Sequence, residues 1–250
     1  MSLTKILFRR FPFLETLSTF FLDTLFPLSC FGCGTPDTYL CSLCAEKLPL
    51  HTKQRCPHCH KTTTPHGELC FACCDIAPAL DGLFAPALYR SPFVSLLIHT
   101  YKYRFISLLA EPLGFWLAQQ MIKTDLPLPD YVIPVPLHKR RLRFRGFNQS
   151  ELLANALAQH VAPHLHLPVL SDALLRINYT KPQIKTDSRE ERLKNLKNAF
   201  IINDSRRNEL LGKYIWLIDD VATTGATLTE CATILKRAGA TKVFGIVIAR

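Results

Sequence analysis

Eight of the ten cysteines in this 250-residue chain form four Cys-x-x-Cys pairs, and this spacing constrains the fold more than any other feature of the sequence. The pairs make two consecutive sets of four thiols: Cys30, Cys33, Cys41 and Cys44, followed by Cys56, Cys59, Cys70 and Cys73. Four thiolates hold zinc tetrahedrally and leave no coordination position open, as in structural zinc sites. The spacing therefore predicts two structural zinc ions (Zn2+) in a small zinc-ribbon-like module, which we assign to residues 30–75.

Disulfides and an iron–sulfur cluster are the alternatives for the same eight cysteines. We find no secretory signal before Cys30, because charged residues interrupt the apolar ones before any small-residue cleavage site appears. We therefore expect a cytoplasmic protein, and a reducing cytosol favours metal thiolates over disulfides. Cys74 and Cys231 stand outside the pattern, and the sequence assigns them no role.

The first 29 residues predict an N-terminal amphipathic helical segment. Its apolar positions, from Phe13 to Phe26, suit a helix that covers an apolar surface of the protein, and association with a membrane surface is the alternative. The chain contains no run of 18 or more apolar residues, so we expect no membrane span.

The rest of the chain, residues 76–250, alternates strand-like and helix-like segments. Apolar runs predict strands at residues 131–136, 199–202, 214–218 and 243–249. Apolar residues at helical spacing follow Asn148 and predict a helix there. A second helix is predicted from Ala226 to Ala238, with Gly239 as its end. This alternation is typical of an α/β domain built on a doubly wound parallel sheet.

Two adjacent acids, Asp219 and Asp220, follow the buried run that begins at Tyr214. In open parallel sheets, ligands bind beyond the carboxyl ends of the strands. The next residues, VATTGAT, lead into a helix N-terminus, where unpaired N–H groups attract an anion. The acids would repel that anion, so they must face hydroxyl groups or a divalent cation. A ribose phosphate satisfies both requirements, with its 5′-phosphate in the loop and its hydroxyls on the acids; simple capping of the turn and helix is the alternative.

The segment YIWLIDDVATTGATL, residues 214–228, resembles the phosphoribosyl pyrophosphate (PRPP) motif of type I phosphoribosyltransferases. The resemblance implies that the tandem acids contact the ribose hydroxyls and that PRPP binds with Mg2+. It makes Asp219 and Asp220 the candidate catalytic residues. The implied PRPP-binding loop consists of Val221, Ala222, Thr223, Thr224, Gly225, Ala226 and Thr227.

A narrower resemblance is to the ComF/GntX family of competence-related proteins, which join an N-terminal zinc module to such a domain. It depends on the cysteine pairs, the PRPP motif, and three further segments: LIHTYKY (97–103), VIPVPLHKRRLRFRGFNQSELLA (132–154) and ERLKNLKNAF (191–200). The segment QIKTDS, residues 183–188, departs from the expected pattern, and we assign it no role.

The turn after the strand at 131–136 is strongly basic. The resemblance implies that this turn faces the pyrophosphate and that a flexible hood follows it, which adds Leu137, His138 and Arg145 to the candidate PRPP site. Lys102, in the segment TYKYRF, is a further candidate that would reach the pyrophosphate or a nucleic acid, and a surface lysine is the alternative. Arginines that alternate with aromatic residues also suit a nucleic acid, whose phosphates meet the cations while its bases stack. The candidate nucleic-acid-binding residues are Arg140, Arg141, Arg143, Phe144 and Phe147. A solvated charge run and hydrophobic anchoring of the two phenylalanines are the alternatives.

The formal net charge is +10, and residues 138–207 hold 14 Lys and Arg against 6 Asp and Glu. Charge alone gives non-specific affinity for polyanions. Together with the resemblance, it predicts a protein of natural competence and DNA uptake that binds PRPP and single-stranded DNA, and that uses the PRPP site as a ligand sensor or for an unidentified reaction. Helicase or DNA-processing proteins of the competence machinery are the expected partners. One alternative is an active phosphoribosyltransferase, a glycosyltransferase-class enzyme with an unidentified acceptor; the other is an adapter that acts through its zinc module.

Overall fold

The computed structural model describes residues 28–76, 78–103, 107–178 and 198–250. The helical segment predicted in residues 1–29 therefore lies outside the described residues except for Leu28 and Ser29, as do residues 183–188 and most of 191–200. Among the helices of the described ranges, none has the length and apolar character needed to cross a membrane.

The helices of the described residues are α1 (Ser42–Glu46), α2 (Phe71–Cys74), α3 (Pro92–Tyr103), α4 (Ala110–Ile122), α5 (Lys139–Arg145), α6 (Gln149–Val161) and α7 (Ala226–Arg237), with short 3-10 helices at Ser107–Leu109 and Asp204–Leu210. The strands are β1 (Gly82–Phe84), β2 (Tyr131–Pro134), β3 (Leu174–Arg176), β4 (Phe200–Ile202), β5 (Tyr214–Val221) and β6 (Lys242–Ala249).

A four-stranded parallel sheet in the order β1-β6-β5-β2 forms the centre of the molecule. Side chains alternate across it, as the pleat of a strand requires. Trp216 and Ile218 belong to the apolar cluster that includes α3, α4 and α6, whereas Ile215 and Leu217 belong to the cluster that includes α7. Because both faces are covered, the strands are buried and nearly uniformly apolar. The predicted α/β fold with a parallel sheet is confirmed.

The strand predicted at residues 199–202 is not part of this sheet. It forms β4, which pairs antiparallel with β3 in a separate two-stranded sheet. Its residues alternate between buried and exposed, with Ile201 facing solvent between buried Phe200 and Ile202. Such alternation is typical of an antiparallel ribbon with one solvated face, and this ribbon packs on the same side of the main sheet as α7.

Helices α4 and α6 pack closely together on the opposite side. Gly114 permits this approach, because a Cβ atom at that position would lie 2.3 Å from the Cβ of Ala156. Helix α6 thereby lies beside β2 and β5, and its N-terminus is directed to the edge where both strands end. Helix α7 ends at Arg237, one residue before the predicted limit, and Gly239 follows with a φ of 104°.

The cysteine module is joined to the sheet in two ways. The first set belongs to the main core, because Cys30 and Cys44 lie in the same apolar cluster as Leu97 and Trp116. The second set forms its own small cluster and lies along the outer edge of β1. There the amide of Leu83 donates to the Gly67 carbonyl at 2.8 Å, and the side chain of Gln54 makes two hydrogen bonds to the backbone of Ala85.

Candidate functional site

The two cysteine sets are compact. In each set the four sulfur atoms lie within 4.8 Å of one another. The Cys33 and Cys41 sulfurs are 3.6 Å apart, and those of Cys59 and Cys70 are 3.8 Å apart. A tetrahedral zinc ion with bonds of about 2.3 Å requires sulfurs separated by about 3.8 Å. Both sets therefore fit the geometry of a structural zinc ion.

The pKa values of these thiols indicate why a cation is needed. Hydrogen bonds to Thr35 lower the pKa of Cys33 to about 6, whereas hydrogen bonding to Cys33 and burial raise the pKa of Cys44 to about 12. Four thiolates this close repel one another, and a dication offsets that repulsion. The two sets thus fit two structural zinc ions. Cys74 and Cys231 belong to neither set; the first is exposed and the second is buried.

The acid pair forms the carboxyl end of β5, which extends three residues beyond the predicted strand limit of Ile218. Asp219 accepts hydrogen bonds on one carboxylate oxygen from the Ser150 hydroxyl and from the Asp220 amide, both at 2.9 Å. Asp220 is only 5% exposed and forms an ion pair with Lys102, whose Nζ lies 2.8 Å from Oδ1. Both acids thus have partners within the protein.

Burial gives this pair unusual electrostatics. Loss of solvent and the neighbouring charge of Asp220 raise the pKa of Asp219 well above the ordinary range of a carboxyl group. Burial lowers the pKa of Lys102, but the charges of Asp220 and Asp219 outweigh it and leave that pKa raised. Lys102 is therefore held as an ammonium ion beside the acids, and it carries the charge that offsets theirs.

The threonine loop lies next to the acids and remains open. Gly225 has a φ of 72°, and a Cβ atom built on it would meet no heavy atom within 4 Å. It is the N-cap of α7, and as a glycine it offers no side chain to the amides of the first helical turn. The Ala226 amide donates to the Thr224 hydroxyl at a long 3.4 Å, so capping by Thr224 is weak. The first turn of α7 can therefore offer amides to an anion.

The basic turn continues into helix α5. His138 is its N-cap and accepts a hydrogen bond from the Arg140 amide at 3.2 Å, and no residue of the helix is buried. Phe144 is 79% exposed. Phe147 instead packs on Tyr101, with ring centroids 6.4 Å apart. Of the two predicted stacking residues, Phe147 therefore has the position of a hydrophobic anchor.

Arg145 connects α5 to the acid site. Its guanidinium donates to Oε1 of Gln149 at 3.1 Å and lies 5.5 Å from the ring centroid of Tyr103. Burial lowers the pKa of Arg145, and the charge of Asp220 acts against that effect. The structure thus brings the predicted residues Asp219, Asp220, Lys102 and Arg145 together at one edge of the sheet, next to the threonine loop. Leu137 follows β2 at the same edge and is partly exposed.

Several residues of this edge were not predicted from the sequence. Ser150 holds Asp219, and the Tyr101 hydroxyl donates to the Gln149 carbonyl at 2.7 Å, which fixes the last turn of α3. Arg176 of β3 lies over the ring of Phe200, with its Cζ 5.2 Å from the ring centroid. Burial and the charge of Arg141 lower the pKa of Arg176, and the charges of Cys231 and Asp219 act in the opposite direction. The only sequence signal for Arg176 was a cation within an apolar run.

Comparisons with known proteins complete the description. The double zinc ribbon domain family matches residues 21–74. The chain is 37% identical over 210 residues to DNA utilization protein YhgH of Escherichia coli O157:H7, covering 82% of this chain and 87% of that protein. It is 31% identical to Competence protein F of Haemophilus influenzae, again covering 82% and 87%, and 29% identical to Competence protein ComFC of Bacillus subtilis, covering 82% and 80%.

Among solved structures, the chain is similar to an allosteric regulatory enzyme of purine biosynthesis, with a TM-score of 0.37 and 22% identity. It is also similar to glutamine PRPP amidotransferase of B. subtilis, with a TM-score of 0.36 and 21% identity. These matches cover 56% of this chain and about a quarter of each of those chains. The extent and identity of the match to YhgH and Competence protein F show that the chain belongs to the ComF/GntX family of competence-related proteins.

Proposed function

We propose that the chain binds PRPP at the carboxyl edge of its sheet and single-stranded DNA on the adjacent helix α5, as part of DNA uptake or utilization. The observation that carries this proposal is the convergence of an acid pair, two cations and an open glycine bend at one edge. A sugar that carries hydroxyls and anionic groups needs all three.

The parts of PRPP fit this edge in one orientation. The 5′-phosphate belongs in the loop from Val221 to Thr227, where the first turn of α7 supplies amides. The ribose hydroxyls belong on Asp219 and Asp220, and the pyrophosphate belongs beside Lys102 and Arg145, with the turn at Leu137 and His138 close by.

A divalent cation fits this site only together with the ligand. Among the described residues, the two cysteine sets are the only groups of three or more side chains placed to hold a metal. Ser150 and Lys102 already engage the carboxylates of Asp219 and Asp220. Mg2+ would therefore be held mainly by oxygens of PRPP, where it would neutralise the pyrophosphate.

The proposed DNA surface is helix α5. All of its side chains are at least partly exposed, it carries Lys139 and four arginines, and Phe144 projects from it into solvent. Cations for phosphates beside an aromatic ring for a base suit single-stranded DNA. The names of the relatives, which concern competence and DNA utilization, support the same role. Six further Lys and Arg lie in residues 179–197, outside the described ranges.

An active phosphoribosyltransferase is the second candidate function. The position of Arg176 favours it, because this partly buried cation of the β3-β4 ribbon lies near enough to Asp219 for the charge of that acid to act on its pKa. A group in that position could contact an acceptor while the donor lies on the acids. Incubation with labelled PRPP and candidate bases, amines and oligonucleotides, followed by measurement of released pyrophosphate, tests this function.

Calorimetric titration with PRPP and Mg2+ tests the donor site. We expect binding by the wild-type chain and a loss of at least about tenfold in the Asp219→Asn/Asp220→Asn variant. Asp204→Asn is the matched control, because this aspartate is exposed and remote from the acid pair in the fold. Absence of PRPP binding by the wild-type chain would reject the donor site.

Single-stranded DNA binding measured across salt concentrations tests the second half of the proposal. Several phosphate contacts require affinity to fall steeply as salt rises. A salt-independent or undetectable affinity would instead favour the zinc-module adapter.

A further inference from the structure

The ammonium of Lys102 is paired with the carboxylate of Asp220, and a bound sugar would need the same carboxylate for its hydroxyls. We propose that Lys102 makes this site selective for ribose 5-phosphates that carry an anionic group on C1′, because the ammonium must exchange Asp220 for that group when the sugar binds. The inference rests on the proposed PRPP site and concerns which ribose phosphates the site accepts.

Lys102 and Asp220 form a close ion pair. Lys102 Nζ lies 2.8 Å from Oδ1 of Asp220, and the two side chains are 24% and 8% exposed. Among the described residues, Asp220 is the only ion-pair or hydrogen-bond acceptor within contact distance of this ammonium. A sugar hydroxyl that binds Asp220 must share or displace the ammonium, and a partly buried charge left without a partner is costly.

Neighbouring groups cannot easily replace Asp220 as the partner of Lys102. One oxygen of Asp219 already accepts from the Ser150 hydroxyl and the Asp220 amide. The sugar itself would also use Asp219. Arg145 is a like charge that is held in place by Gln149.

The backbone of Lys102 is fixed, so the exchange must be local. It lies in the last turn of α3, next to Tyr101, which is fully buried and hydrogen-bonded to the carbonyl of Gln149. The ammonium can therefore move only as far as its own flexible stem allows. An anion on C1′ of a sugar bound to the acid pair would lie within this short range and restore a partner, whereas ribose 5-phosphate or a nucleoside 5′-monophosphate provides no such anion.

The experiment compares PRPP with ribose 5-phosphate on the full-length chain by calorimetry, in the wild type and in Lys102→Met. We expect the wild type to prefer PRPP by about thirtyfold or more, the range for a buried charge pair that loses one member. In Lys102→Met, PRPP should bind at least about tenfold more weakly while ribose 5-phosphate binds as well or better, so the preference collapses. Lys123→Met, which removes a lysine hydrogen-bonded to Gln120 at the end of α4, is the control and should keep the preference.

A second variant guards against simple misfolding. Lys102→Met leaves Asp220 buried without its cation, so we include Lys102→Met/Asp220→Asn, which replaces the ion pair by neutral groups of similar size, and record the melting temperature of each. The double variant should also bind the two sugars with similar affinity. The selectivity role is overturned if the wild type binds PRPP and ribose 5-phosphate with equal affinity, or if Lys102→Met weakens the binding of both sugars equally. The proposed PRPP site would stand in either case. If the wild type binds neither sugar, the proposed function fails and this inference fails with it.

Discussion

The cysteine module and the carboxyl edge of the sheet both bring charged groups together, but different partners offset the charges in the two regions. Each cysteine set surrounds one position with four sulfurs, so its metal leaves no place for a ligand. At the edge, the acids are paired with Ser150 and Lys102, and the neighbouring glycine bend is open. The thiolates of the module therefore serve to bind a structural metal. At the edge, by contrast, a ligand can replace Ser150 and Lys102 as the partners of the acids. Substitutions and metal removal should therefore affect the two regions differently.

Loss of zinc should unfold the module and disturb the main core. Cys44 lies in the cluster that holds Trp116, and a Cβ atom on Gly32 would lie 2.7 Å from its sulfur, which shows how tightly this set is packed. We expect a strong chelator or Cys44→Ser to release zinc and to change tryptophan fluorescence, with a lower melting temperature. Cys74→Ser, at an exposed thiol outside both sets, is the control. Purified protein without zinc and without free thiols after denaturation would instead establish disulfides.

Replacement of Asp219 should affect ligand binding strongly without unfolding the chain. Asp219→Asn keeps an oxygen for Ser150 but removes a charge that proposed PRPP binding requires, so we expect at least about a tenfold loss of PRPP affinity.

The same variant should change the dependence of stability on pH. Burial raises the pKa of Asp219 to about 7 in the folded chain, so the folded state holds this proton more tightly than the unfolded state does. The resulting stabilisation is complete below the unfolded pKa of about 4 and is lost as pH rises through the folded value. Between about pH 6 and pH 8, where zinc stays bound, the wild-type melting temperature should therefore fall more than that of Asp219→Asn. Parallel curves for the two proteins would contradict the raised pKa.

Alanine substitutions of the two phenylalanines of the basic turn should have different effects, one on single-stranded DNA binding and the other on stability. Phe144 is exposed, so Phe144→Ala should weaken single-stranded DNA binding by about 1–3 kcal/mol and leave the melting temperature unchanged. Phe147 packs against Tyr101, so Phe147→Ala should lower the melting temperature instead. Fluorescence anisotropy and thermal melts of both variants check this contrast, which fails if the two proteins behave alike.

Gly225→Ala should give only a small loss of stability. The positive φ disfavours a side chain by about 1 kcal/mol, but the new Cβ would meet no neighbour. The proposed 5′-phosphate would lie at this bend, so PRPP affinity should fall more than this small loss of stability accounts for. A variant that binds PRPP like the wild type would argue against this placement of the phosphate.

The sequence predicted those features that are encoded by local spacing. The eight metal ligands are close in the chain, and the position of the acids after an apolar run placed them at a strand end. Contacts between distant segments were harder to predict. Ser150 reaches Asp219 only because β2 lies beside β5 and α6 begins at their common edge, and neither the strand order nor that helix direction is written in a local pattern.

The same limit explains the remaining differences. The apolar run at 199–202 indicates a strand, but its partner, β3, is determined by the tertiary fold, so its place outside the main sheet could not be predicted. Phe144 and Phe147 are equivalent in the sequence, whereas the left-handed turn at Gly146 ends α5 between them and only Phe147 reaches the core.

The hydrogen bonds from the second cysteine set to β1 have a consequence for solubility. On the outer flank of β1, the amide of Leu83 donates to the carbonyl of Gly67, and the side chain of Gln54 bonds to Ala85, which directly follows the strand. Gly67 lies between the ligands of the second cysteine set, so we expect loss of zinc to uncover this edge. An uncovered strand edge is a template on which a strand from another molecule can add. Metal starvation should therefore produce aggregates that grow by intermolecular strand pairing.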